Sequence, residues 1–327
     1  MATANERTPI RKRGLQMIPV DQEKRHDEWL QIRRGYIGGS DAGAIIGMNP
    51  YASAFSVWAE KIGKVPEFTG NISTRTGTLL EDLVAKLFME ETGKKVQRLN
   101  YTLVNEAYPF ACANIDREVI GEDAILECKT TNSFVNVKKF RTGEYPEQWY
   151  AQMTHYLAVT GAKKAYLAVL SECRDFRVFE LERDEAEIKA LMDAECDFWD
   201  NYVMPRKTPP VDGHSATSEA IKAMFQIETG DEADLTGFDD LFMQRKALSE
   251  NIKNLKTELD GLDNRLKNAL GSRSTGLCGR WKVSWKLQNT SGLDREAIKQ
   301  DFPEIDLKAY ATQARVLRIS EKKEKTA

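Results

Sequence analysis

What this chain of 327 residues lacks narrows it first. No apolar run approaches membrane-spanning length, and the start, "MATANERTPIRKRG", has no signal-peptide apolar core. A protein of the cytoplasm that makes no contact with membrane is the expectation. The five cysteines, Cys112, Cys128, Cys173, Cys196 and Cys278, are odd in number, scattered and without a CxxC pair. They argue for reduced thiols and against a zinc or iron–sulfur site. Three histidines are too few for a histidine-rich metal centre. An excess of positive charge is missing as well, since the net charge is −3. Any hold on phosphate therefore has to come from a local basic patch.

What is present reads as an α/β protein with an extension. The basic stretch 1–20 is expected to be a disordered tail. Residues 21–63 read as helices broken by glycines: "DEWLQIRRG" ends at Gly35, "SDAGAIIG" has Ser40 as its N-cap, and "SAFSVWAEKIG" runs from an N-cap Ser53 to Gly63. "TLLEDLVAKLFMEETG" places Leu80, Leu83, Val84, Leu87 and Phe88 at helical spacing. "PEQWYAQMTHYLAVTG" is a helix with Pro146 at its start and Gly161 at its end. Two strands, "AYLAVL" and "FRVFELE", and a helix from about Asp184 to Val203 complete a core spanning 21–208. The segment 209–234, rich in Pro, Ser and Thr around "MPRKTPPVDGHSATSE", reads as a linker. Within 235–327, Leu248, Ile252, Leu255, Leu259, Leu262 and Leu266 form an a/d seam of a helix that needs a partner. "GRWKVSWK" then alternates Trp281, Val283 and Trp285 against polar residues, a half-buried strand rather than a nucleic-acid platform, with "ARVLRIS" as its expected partner.

The chemistry sits in "ANIDREVIGEDAILECKT", residues 113–130. "AILECK" alternates, so Glu127 and Lys129 share a face with Ile125. "GED" at 121–123 is a turn signal, and a hairpin centred on Gly121 and Glu122 brings Asp116 opposite Glu127. Opposed residues have Cβ atoms about 4.5–5.5 Å apart, so the two carboxylates repel unless something positive intervenes. A hard divalent cation would serve. The plain alternative is a carboxylate pair at a strand end, satisfied by arginine or water.

At "IGGSDAGAIIGMNPYASAFSVWAEKIGK", residues 37–64, the sequence resembles the YqaJ-like viral recombinase family. That family is related to the lambda-type exonucleases of the PD-(D/E)xK superfamily. "GTLLE" at 77–81, the Asp116…"ECK" set and "QMTHY" at 152–156 follow in the family's order. The resemblance covers roughly 27–205; the C-terminal region is a weaker match. It implies a restriction-endonuclease-like core, a central mixed sheet flanked by helices, carrying a C-terminal α+β extension. It also implies Mg²⁺ or Mn²⁺ held by Asp116, Glu127 and the backbone carbonyl of Cys128, with Lys129 orienting or helping to deprotonate the attacking water. Glu81 would reach the metal directly or through water, although Thr78 to Glu81 also reads as a capping box. Gln152 and Tyr156 match a QxxxY motif beside the site; otherwise they are the polar edge of a helix whose Tyr150, Met153 and Leu157 pack inward. Arg33 and Ser40 match the residues that hold a DNA 5′-phosphate, and Arg34 and Arg75 are candidate backbone contacts. A plain N-cap and exposed arginines are the alternative. One departure stands out: Pro-Asp-Gly is usual around the first acid, and here it is Ile115-Asp116-Arg117.

The activity implied is a Mg²⁺-dependent 5′→3′ exonuclease on double-stranded DNA ends, leaving 3′ single strands for an annealing protein. It would be encoded by a phage or prophage and act in a bacterial cytoplasm as a ring-shaped homo-oligomer. A structure-specific endonuclease on the same core and a catalytically silent DNA-binding scaffold are the competing expectations.

Overall fold

The structure, a computed structural model, describes residues 9–19, 31–66, 70–287 and 295–305. The chain divides into two compact units, Met1–Gln226 and Ile227–Ala327.

The first unit is built on two sheets. The larger is five-stranded: β3 (Lys95–Gln97), β6 (Arg117–Ile120), β7 (Ala124–Thr131), β8 (Lys164–Ser171) and β9 (Asp175–Glu182) lie side by side in that order. β7 and β8 are parallel and the other pairs antiparallel. The parallel pair needs a crossover, supplied by α4 (Phe134–Arg141) and α5 (Glu147–Thr160). "AILECK" and "KAYLAVLS" are nearly continuous in apolar residues because both faces of the sheet are covered. On one face α3 (Ile72–Thr92) sets Val84, Ala85 and Phe88 against Leu126, Tyr166 and Ala168. On the other, α5 contributes Met153 and Leu157 to a core with Ile125, Leu167 and Val169. The expected α/β core, a central mixed sheet between helices, is therefore present.

The smaller sheet has the order β1 (Gln16–Pro19), β4 (Tyr101–Val104), β5 (Ala111–Ala113), β2 (Ile37–Gly38). The stretch 1–20, expected as a disordered tail, thus supplies a strand, held by its pairing with β4. Pro19, which cannot donate to a ladder, lies on its edge strand. The stretch "PFACANIDREVI", apolar along most of its length, holds two strands. β5 belongs to the small sheet and β6 to the large one, with a break at Asn114, Ile115 and Asp116. After β2 come α1 (Gly39–Ile45) and α2 (Ala54–Lys61), capped as expected by Ser53, which accepts from the Ser56 amide at 3.1 Å. α6 (Glu185–Phe198) continues into a π turn at Trp199–Val203.

Two helical expectations shift. α3 begins at Ile72, where Asn71 Oδ1 accepts from the amides of Ser73 and Thr74 at 2.9 and 3.1 Å, so Thr78 and Glu81 are interior and form no capping box. Leu83 is exposed, so only part of the apolar spacing in that helix reaches the core. The stretch 209–234, expected as a linker, contains α7 (Ser215–Met224). There Ala220 is buried, and Thr217 Oγ1 lies 2.7 Å from Ser53 Oγ.

In the second unit, α8 (Asp239–Leu270) carries the leucine seam, exposed from Leu248 to Leu266. β10 (Thr275–Cys278) and β11 (Trp281–Ser284) form an antiparallel hairpin. A short α9 (Arg295–Asp301) follows. β11 thus finds its partner upstream; "ARVLRIS" lies outside the described residues. Trp281 and Trp285 are exposed, not half-buried, and Arg280 stacks over the Trp281 ring at 5.1 Å.

Candidate metal centre and phosphate pocket

The hairpin sets the register. Arg117 stands opposite Leu126 and Glu118 opposite Ile125, so one residue further out Asp116 falls opposite Glu127, as the turn predicts. Gly121 makes this possible by taking φ +84° in the turn. Asp116 lies in the break before β6, and its Oδ2 accepts a hydrogen bond from the Cys128 amide at 2.7 Å. Glu127 is buried and shared between two donors: Lys129 Nζ lies 2.7 Å from Oε1, and Gln152 Nε2 donates to the same oxygen at 2.8 Å. Lys129 Nζ also donates to Gln152 Oε1 at 3.0 Å, and Gln152 Nε2 reaches Tyr156 Oη at 3.1 Å. The QxxxY residues thus frame the acid–lysine pair. Met153 and Leu157 pack inward on α5, but Tyr150 does not; it donates to Glu187 at the surface.

The electrostatics are those of a site short of positive charge. Burial, then Glu127, then Glu81 push the Asp116 carboxyl well above its ordinary range. Burial likewise raises Glu127, against the pull of Lys129 and Gln152. For Lys129, burial is outweighed by Glu127 and Asp116, and its ammonium form is held. Glu127 Oε2 is buried with no hydrogen-bond partner. A buried carboxylate oxygen without a donor is costly, and a divalent cation is what would satisfy it. The donor set, two carboxylates with a nearby strand carbonyl at Cys128, suits hard ions such as Mg²⁺ or Mn²⁺. It is a sparse set: among the described residues no three His, Cys, Asp or Glu side chains converge as a metal cage.

Glu81 explains the sparseness. Its Oε1 accepts from Arg117 and, at 3.0 Å, from Arg98. Both guanidinium groups also reach the neighbouring Asp82. Arg117, which stands where Gly is usual beside the first acid, pairs with the helical glutamate.

Arg33 and Ser40 come together. Arg33, on a helical turn at 31–34, donates to Ser40 Oγ and to Asp41 Oδ1 at 3.4 Å. Ser40 is not the N-cap. Because β2 runs straight into α1, Gly38 occupies that position, and its amide donates to Asp41 Oδ2 at 3.0 Å. Lys61 Nζ pairs with the same Asp41 oxygen at 2.7 Å and donates to the Arg33 carbonyl at 3.0 Å. Burial would raise Asp41, but Lys61 and Arg33 together hold its carboxyl well below the usual range. Ser40, Lys129 and Gln152 line one cleft of about 970 Å³, with Asn71, Thr130 and Asn136. Arg34 and Arg75 are exposed, Arg75 between Thr74 and Thr76 of the cleft wall.

Asp41, Lys61, Arg98 and Asp82 were not foreseen. The "GSD" spacing, with an acid three residues after Gly38, was a usable signal for Asp41. Nothing local marks Lys61 or Arg98.

Residues 28–163 match the YqaJ-like viral recombinase domain. The alkaline exonuclease LHK-Exo of Laribacter hongkongensis superposes with a TM-score of 0.48 at 20% identity, over 55% of this chain and 93% of that one. A phage-related exonuclease of Haemophilus somnus 129PT gives 0.42 at 14% identity, over 55% of this chain and all of that one. The uncharacterized protein YqaJ of Bacillus subtilis strain 168 is 36% identical over 295 residues, 89% of this chain and 92% of that protein. An identity of that level, sustained over nearly the whole of both proteins, places this chain in the YqaJ-like viral recombinase family.

Proposed function

We propose that the protein is a Mg²⁺-dependent deoxyribonuclease that hydrolyses phosphodiester bonds, acting as a 5′→3′ exonuclease on double-stranded ends. The observation that carries this reading is the buried, unpartnered Glu127 Oε2 beside Asp116, with Lys129 opening to the cleft that Ser40 also lines. Asp116, Glu127 and the Cys128 carbonyl would hold the cation, which when bound polarises the phosphate and lowers the pKa of a bound water. Lys129, kept as an ammonium by its two carboxylate neighbours, donates hydrogen bonds to the nucleophile or to a phosphate oxygen rather than taking up a proton. Gln152 fixes it there and orients Glu127. Arg33 and Ser40 would take the terminal 5′-phosphate, with Asp41 and Lys61 holding Arg33 in place. The product would be a 3′ single strand for an annealing protein, in the cytoplasm of a bacterial host. The working form would be a homo-oligomer around DNA. No helix among the described residues is long and apolar enough to cross a membrane.

The test is time-resolved digestion of linear duplex bearing 5′-phosphate or 5′-hydroxyl ends, with Mg²⁺, beside closed circular duplex and a Lys129→Ala control. The phosphorylated end should be degraded faster, the circle should survive, and the control should be slower by about 10²–10³. Cutting of the circle would replace the exonuclease by an endonuclease. Intact linear DNA, with Asp116→Ala altering only binding, would make the protein a silent scaffold. Equal rates on both ends would remove Arg33 and Ser40 from the pocket.

A further inference from the structure

We propose that Arg117, assisted by Arg98, withholds Glu81 from the cation, so that this site binds its metal through Asp116 and Glu127 without a third carboxylate. The inference rests on the metal-site reading above and concerns what sets its affinity.

Side chains at successive strand positions point to opposite faces. Leu126 and Val119 pack with α3, while Ile125 packs with the core that holds α5. Glu127 and Lys129 share the parity of Ile125 and meet Gln152 of α5. Arg117 shares the parity of Val119 and meets α3. Arg117 therefore meets Glu81 on the face opposite to the one on which Glu127 meets Gln152.

Arg117 is buried, and both its terminal nitrogens are committed: one donates to Glu81 Oε1 and to the Asp116 carbonyl, the other to Asp82 Oδ1. Residues adjacent on a helix project in different directions, so a fork that spans Glu81 and Asp82 fixes both. Arg98 adds a second donor on Glu81 Oε1. For Glu81 to offer Oε1 to a cation it would have to give up charge-assisted hydrogen bonds from both arginines, an unfavourable exchange. The same arginine grips the backbone of Asp116, so the latch and the first ligand are one mechanical unit. Gly, which the resemblance leads one to expect at position 117, could do none of this.

The experiment is Mn²⁺ binding to the full chain without DNA, read as free Mn²⁺ by electron paramagnetic resonance. Glu81→Gln should bind Mn²⁺ as the unaltered chain does. Arg98→Met with Arg117→Met should bind about tenfold more tightly, on the scale of second-sphere effects on metal sites. Adding Glu81→Gln to that pair should return the affinity to its starting value. A weaker affinity for Glu81→Gln alone, or an unchanged affinity in the folded arginine pair, would overturn the latch. The single Glu81→Gln variant decides the matter even if the arginine pair does not fold. Asp116→Asn should abolish binding throughout; an unaltered chain that binds no Mn²⁺ would overturn the metal site itself, a distinct result.

Discussion

A Cβ placed on Gly39 would stand 2.5 Å from Cε1 of Tyr156 and 2.9 Å from its Cζ, so the first residue of α1 is glycine because the Tyr156 ring lies against it. Four residues on, a Cβ at Gly43 would meet Gln148 at 3.1 Å. The two glycines let α1 lie against α5, which brings the Arg33–Ser40 pair beside the helix that carries Gln152. Gly39→Ala should push the Tyr156 ring away and cost about 1–3 kcal/mol by overpacking. Thermal unfolding would show it. Combining Gly39→Ala with Tyr156→Leu should restore part of the loss, because the two effects share one cause.

In the proposed mechanism Gln152 acts through Glu127 and Lys129. Gln152→Leu keeps most of the volume but removes the donor to Glu127 and the acceptor for Lys129. Turnover on linear duplex should fall by about 100-fold, the scale for misplaced catalytic groups, with KM for DNA little changed. Lys129→Ala should cost about 10²–10³ in turnover, comparable with loss of a charge-stabilising donor. Equal loss in KM and turnover would make Gln152 a structural residue only.

How much of this was legible depended on distance along the chain. The Gly121 turn and the alternation of "AILECK" lie within a dozen residues of each other, and they were enough to put Asp116 opposite Glu127. The strand break at Asn114–Asp116 was hidden, because residues on both sides are apolar and periodicity does not say which sheet a strand joins. Asp41 and Lys61 are twenty positions apart in sequence, and only packing of α1 and α2 joins them. Arg117 could be flagged as unusual, but its partner on α3 could not be read from spacing. For Trp281 and Trp285, alternation said nothing about whether anything covers their side chains.

The exposed seam of α8 bears on the proposed homo-oligomer. The helix has 32 residues, about 48 Å at 1.5 Å per residue. With Ile252, Leu259 and Leu266 at a and Leu248, Leu255 and Leu262 at d, a parallel pair would set Glu258 against the partner's Asp263 at facing g and e positions. An antiparallel pair centred between Ile252 and Leu255 separates those acids and sets Ile252 against Leu255, Leu248 against Leu259 and Leu241 against Leu266, with Leu262 facing Arg245. Leu255→Lys with Leu259→Lys should lower the mass in sedimentation equilibrium while the far-ultraviolet circular dichroism of the rest persists. An unchanged mass would place self-association elsewhere.

The buried pair His155 and Glu195 gives a pH signature separate from activity. His155 Nδ1 lies 2.9 and 3.0 Å from the two Glu195 oxygens, and Nε2 lies 2.9 Å from the Cys112 carbonyl. Both ring nitrogens face acceptors, so the imidazolium with two N–H donors fits and a neutral tautomer leaves one contact without a proton. Burial alone would lower the pKa, but Glu195, the Cys112 carbonyl and Asp41 outweigh it, and the net shift is upward. A raised folded-state pKa means the protonated pair stabilises fully below the unfolded histidine value of about 6.5. The contribution is then lost as pH rises through the folded-state value. Glu195→Gln removes the group that raises His155 most, so its melting temperature should depend less on pH above neutrality than that of the unaltered chain. Its cost at low pH should be about 1.5–3 kcal/mol, the range for hydrogen bonds to charged groups. Melting curves from pH 5.5 to 9 would decide it: parallel profiles for the two proteins would show that His155 is neutral in the fold.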